Sequence, residues 1–282
     1  CGAGTFHYYW HIYSYMNWGE PWYDALRESQ VNYRIENQRY FERNLMPHML
    51  GWFSLHPHWR PEEVEWIQAL SAGFDAGYLL RVDENIETNG FKDQMFHLIR
   101  QWQKARRTDA FTHKQKQKLK DPDQEFHLEK TGVNHWNLYP VSLKGGFTHE
   151  SMEVQPGQPE ESVFQVNNPY QNQPMQFYLT VPGNEKEGVS VSNIVLEIND
   201  YQTMDIAGPV KSGQHIMCDG QAVYLCDKTW NKLEKLDAAS LPTWEEGENK
   251  VSMKSDFSGN EDAQLQFEGK FVGKPETVST QN

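Results

Sequence analysis

The sequence predicts an α/β segment followed by an all-β one: the last βα units of a (β/α)8 barrel over residues 1–130, then an antiparallel, jelly-roll-like β-sandwich over residues 131–282. Strand-like runs alternate with helical periodicity in the first part, the rhythm of βα units. In the second part, short alternating runs such as VFQVNN, MQFYLTVPG, VSNIVLEIND and AQLQFEGKFVG are punctuated by Gly, Pro, Asn and Asp, which marks an antiparallel sandwich. Charge divides the chain as well: up to Lys130 there are 16 Lys+Arg against 18 Asp+Glu, and beyond it 10 against 21.

The first run, GTFHYYWHIYSY, is aromatic and β-branched without a helix cap and reads as a strand from Phe6 to Ile12. From Trp22 to Leu50 apolar residues fall at helical spacing, predicting a long amphipathic helix with Pro47 as its break point. A second strand, Gly51 to Leu55, follows directly. Pro61 with Glu62 and Glu63 marks a helix start, because Pro needs no N–H in the first turn and carboxylates favour the positive end of the helix dipole. That helix is expected to end at Gly73. GYLLRV, from Gly77 to Val82, is the third strand. A helix from Phe91 aligns Phe91, Met95, Leu98, Ile99 and Trp102 on one face. The stretch from Arg106 to Lys130 is highly charged and reads as a solvated connector ending in the extended segment EFHLEK.

Three βα units do not close a barrel, which takes about 250 residues. A small open sheet is one outcome. A chain that starts partway through a barrel is the other, favoured by the strand at its start and by polar and aromatic residues at its strand ends.

The net charge of −13 disfavours phosphate backbones and anionic lipids, so no nucleic-acid partner is expected. No apolar run reaches the roughly 18 residues of a spanning helix, and no signal peptide is recognisable. Cys1, Cys218 and Cys226 lack metal-site spacing, and no metal or cofactor is expected. A two-residue turn at Asp219-Gly220 would pair Cys218 with Gln221, which leaves Cys226 too far down the hairpin for a disulfide. Rossmann glycines, P-loops, nucleophilic triads and HExxH are absent, which disfavours nucleotide and oxidoreductase chemistry.

In a βα architecture ligands bind where the strands end. Those ends carry His7, Trp10, His11 and Glu20 after the first strand, His56, His58 and Trp59 after the second, and Arg81, Asp83 and Glu84 at the third. Rings that stack on C–H faces, together with imidazoles and charged groups that bond hydroxyls, suit a sugar. Hydrolysis of a glycoside needs two carboxylates, and Asp83 and Glu84 are the catalytic candidates; the alternative for an acidic loop pair is a helix cap or a solvated surface. The 13% aromatic content, with 10 Trp and 13 Tyr, adds candidate exposed rings in the sandwich at Tyr170, Trp230 and Trp244.

The strand FHYYWHIYSY, the long helix leading into LGWFSL, the unit AGFDAGYLLRVDENIETNG and the passage EFHLEK…WNLYPV together resemble the C-terminal end of bacterial glycoside-hydrolase-like proteins, in which a TIM barrel precedes a β-sandwich. The likeness covers most of residues 4 to 141. It implies polysaccharide hydrolysis in the periplasm or outside the cell, and an N-terminal remainder that supplies the first barrel strands. A non-catalytic carbohydrate-binding protein, or a sandwich supporting a larger assembly, are the alternatives.

Overall fold

A computed structural model of the chain describes residues 31–151, 161–183, 188–238, 240–259 and 263–280. The expected first strand and the start of the long helix lie outside these residues. Two compact units form: one runs to Pro140 and regains the chain from Pro275, and the other is Val141–Lys274. Residue 131, where the all-β part was expected to start, falls inside a strand of the first unit.

In the first unit the helix α1 (Val31–Arg43) stops well before Leu50, and β1 (Met49–Leu55) begins two residues earlier than expected. Gly51 supplies a positive φ of 81° at a register shift in β1, a conformation that costs Gly little. Helix α2 (Pro61–Phe74) starts at the expected proline and is buried along most of its length. It leads to β2 (Gly77–Val82), which pairs parallel with β1, Phe53 opposite Leu80 and Leu55 opposite Val82. A 3-10 turn (Glu84–Thr88) then precedes α3 (Lys92–Arg107), which buries Met95, Leu98 and Trp102, three of its five predicted face residues.

The charged stretch after Arg106 is not a solvated connector. It forms α4 (His113–Leu119) and β3 (Glu125–Gly132), and its few apolar residues decide the outcome, because Phe111, Leu119, Phe126 and Leu128 are all buried in one cluster with Trp102 and Trp136. Gly73 makes this packing possible, since a Cβ there would lie 2.7 Å from the main-chain carbon of Leu119. Strand β4 (His135–Glu150) pairs with β3, and the terminal β17 (Glu276–Ser279) returns to pair antiparallel with its first residues, Val278 opposite Trp136.

The second unit is built mostly of antiparallel sheet and is compatible with a sandwich. One sheet orders β10 (Val210–Lys211), β8 (Ser190–Ile198), β15 (Gly247–Ser258) and β5 (Ser162–Asn168), with β9 (Gln202–Ile206) also on β8. The other runs β13 (Lys232–Leu236), β12 (Val223–Cys226), β11 (His215–Asp219), β7 (Gln176–Thr180), β16 (Gln264–Val272) and on to β4. The short strands β6 (Gln173–Pro174) and β14 (Thr243–Trp244) pair with each other. Inward residues of both sheets, among them Ile194, Leu196 and Val251 from the first and Leu179, Ile216 and Phe267 from the second, share one core.

Cys218 lies opposite Val223 rather than Gln221, two residues from the expected register, and Cys226 lies opposite His215; both thiols are free and buried, and burial pushes them up to about 11 and about 12. His149 is 2% exposed, its Nδ1 2.8 Å from the Ser162 hydroxyl, while its Nε2 is buried without a partner among the described residues. Burial lowers its proton affinity, so the native imidazole stays neutral while the unfolded chain takes a proton below its ordinary pKa of 6.5. Stability is therefore expected to fall as pH drops from 6.5 through the lowered native value, each unit of depression being worth about 1.4 kcal/mol. Comparing urea midpoints of wild type and His149→Gln at pH 7.5 and pH 5 checks this. An equal acid loss in both proteins would remove His149 as a source.

Candidate functional site

The strand pair β1–β2 brings two loops together at its C-terminal end. The N–H of Asp83 donates to the carbonyl of Leu55 at 3.1 Å, so the last residue of β1 touches the first residue after β2. Asn89 then ties the loops: its buried Nδ2 donates to the carbonyls of Pro57 at 2.6 Å and Trp59 at 2.8 Å, while its Oδ1 accepts the N–H of Phe91 at 2.6 Å. Sequence reasoning passed over Asn89, because ETNG reads simply as a turn.

On this base sit three predicted site residues. The His56 and His58 rings stack at 5.3 Å and 13°, and His56 Nδ1 lies 3.9 Å from Asp83 Oδ2, within ion-pair range but too long for a hydrogen bond. Burial, then the neighbouring His56, lowers the proton affinity of His58, and Asp83 opposes them. An imidazole with lowered proton affinity thus stands beside another that lies 3.9 Å from a carboxylate, a combination able to bond hydroxyls.

The other candidates have different surroundings. Trp59 is 6% exposed, with its ring edge-on to His56 at 5.9 Å, so it belongs to the core and offers no face to a sugar. Asp83 Oδ1 accepts the N–H of Asn85 at 2.8 Å, the helix-cap role weighed as the alternative for this carboxylate. Glu84 is exposed in the 3-10 turn, and Arg81 is exposed on β2 opposite Ser54. His7, Trp10, His11 and Glu20 lie outside the described residues.

In the second unit Trp230 and Trp244, expected as exposed rings, are buried. Trp230 stacks on His215 at 3.9 Å, Trp244 packs against Phe267 and Phe271, and Tyr170 is half-buried. Trp230 sits at φ 68° in a turn fixed by Asp227, whose carboxylate accepts from Thr229 and Asn231. A lone Trp in a sequence does not reveal which side of a sheet it faces.

A second polar cluster was not anticipated. Glu65, 3% exposed on α2, accepts from Trp102 Nε1 at 2.9 Å, the Leu128 N–H at 2.9 Å and His127 Nδ1 at 2.8 Å. With all three donors coming from α3 and β3, it acts as a structural clamp.

Among the described residues no group of three or more His, Cys, Asp or Glu is placed to hold a metal ion, and no helix is long and apolar enough to cross a membrane. No protein-family model matches the chain, and neither a curated protein nor a solved structure is similar enough to match it.

Proposed function

We propose that the chain is the C-terminal part of a glycoside hydrolase acting on a polysaccharide or oligosaccharide in the periplasm or outside the cell. The observation that carries this reading is the meeting of His56, His58 and Asp83 at the C-terminal ends of two parallel strands, on loops locked together by Asn89. In this reading β1 and β2 are late strands of a (β/α)8 barrel. Supporting it, β2 leaves Leu79 50% and Val82 47% exposed although they sit on opposite faces, whereas parallel strands normally bury both faces. In a barrel, interior side chains of other strands would cover one face and outer helices the other. The imidazoles bond sugar hydroxyls, and Asp83 with Glu84 supplies the acid–base carboxylate.

A second reading, a non-catalytic carbohydrate-binding protein, is favoured by one observation: the Asp83 carboxylate already caps the 3-10 turn. Reducing-sugar release from a broad glycan panel by the full-length polypeptide separates the two. Asp83→Asn is expected to lower turnover about 100- to 10,000-fold, the range for loss of an acid–base group, with the circular dichroism spectrum unchanged. Unchanged turnover in both Asp83→Asn and Glu84→Gln would sink the site assignment. Glycan retention without hydrolysis would replace the enzyme reading with the second one.

A further inference from the structure

We infer that the second unit contacts neutral glycan through a tyrosine platform at one end of its sheets, formed by Tyr201 with Glu245; this rests on the carbohydrate reading above. Tyr201 is 64% exposed, and among the described residues of this unit it is the one aromatic side chain with more than a third of its surface in solvent. It is also held in place. The β8–β9 hairpin turns through Asn199, Asp200 and Tyr201, with Asn199 and Asp200 at positive φ (55° and 64°) and Tyr201 N–H bonded to Ile198 O, so the ring sits on a tight three-residue turn. The phenol donates to the Glu245 carboxylate.

Beneath it, fully buried amides join three loops. Asn249 Oδ1 accepts from Glu245 N–H at 3.0 Å and Asn199 Nδ2 at 3.1 Å, and its Nδ2 donates to the carbonyls of Glu245 and Gly247. Asn168 Nδ2 donates to the carbonyls of Gln171 and Glu245, and Asn172 Oδ1 accepts Glu246 N–H at 2.8 Å. Asn168 and Asn249 are each 0% exposed. The ring and its flanking carboxylates are thus ordered before any ligand arrives, which lowers the entropic cost of binding.

An exposed amphipathic ring offers its face to sugar C–H groups, and the neighbouring carboxylates accept from hydroxyls. Asp200, Glu245, Glu246 and Glu248 crowd this end against Lys250, a balance that repels uronates and sulfated glycans and leaves neutral ones.

Affinity gels containing barley β-glucan, xyloglucan, glucomannan or alginate test this with the whole protein. Retardation by at least one neutral glycan is expected, with Tyr201→Ala weakening it about tenfold and Tyr201→Phe much less. Retention unchanged in Tyr201→Ala, or retention by alginate alone, overturns the platform. Hydrolysis by the wild type without any retention overturns it while leaving the hydrolase reading intact; neither hydrolysis nor retention overturns both. A change confined to self-association in sedimentation marks a protein contact at Tyr201 and also overturns it.

Discussion

Replacing Glu65 by Ala is expected to lower the free energy of unfolding by about 3–5 kcal/mol, the range for removing one partner from a buried ionic network. The carboxylate is 3% exposed and spends both oxygens, one on the Trp102 indole and the Leu128 N–H, the other on the His127 imidazole. Truncation orphans two donors on residues at 0% and 1% exposure, and each buried donor left unmade costs about 1–3 kcal/mol. Glu65→Gln keeps a carbonyl for Trp102 and Leu128 and is expected to cost about half as much. Trp102→Phe removes one donor but keeps a ring to stack on Phe111, which lies 5.6 Å away at 22°. Because Trp102 and Glu65 share a bond, the double mutant should be less damaged than the sum, with a coupling of about 0.5–3 kcal/mol. Urea unfolding followed by tryptophan fluorescence measures all four proteins. A loss below about 1 kcal/mol for Glu65→Ala would show that the clamp is not made.

Glu65 also marks where sequence reasoning stops. It lies in a helix whose start was readable from Pro61, Glu62 and Glu63, where the signal is local. Its partners come from Trp102 and Leu128, far along the chain, and no local pattern announces such a meeting. The same contrast runs through the first unit. GYLLRV and the apolar stripe of α3 were legible, whereas α4 and β3 were not: charge dominates that stretch, and a handful of scattered apolar residues bury it. The return of β17 to β4 is likewise a pairing across more than a hundred residues.

For the site, proximity of His56, His58 and Asp83 was legible, because parallel strands place their ends side by side. Rigidity was not: it comes from Asn89, whose three bonds reach both backwards and forwards along the chain. Burial of Trp59, Trp230 and Trp244 was equally hidden, since a large amphipathic ring serves as core or platform with the same residue name.

In the second unit the largest expected loss is for Phe267→Ala, about 3–5 kcal/mol by the measure of buried aromatic truncations. Phe267 is 1% exposed on β16, with ring centroids of Phe164, Phe177, Trp244 and Phe147 at 5.4, 5.8, 6.3 and 6.5 Å. Phe164 comes from β5 in the opposite sheet, and Phe147 and Phe177 from strands on either side of β16, so the ring joins both sheets and its own neighbours at once. Three rings fixed in the two large sheets and Trp244 on β14 cannot collapse into the space an Ala leaves, which puts the cost at the upper part of the range. Phe267→Leu keeps most of the volume and should lose less than about 1.5 kcal/mol. Phe164→Ala removes a ring that is only partly buried at the edge of the core and should fall between them. Equal losses for Phe164→Ala and Phe267→Ala in urea unfolding would show that Phe267 is not the centre of this core.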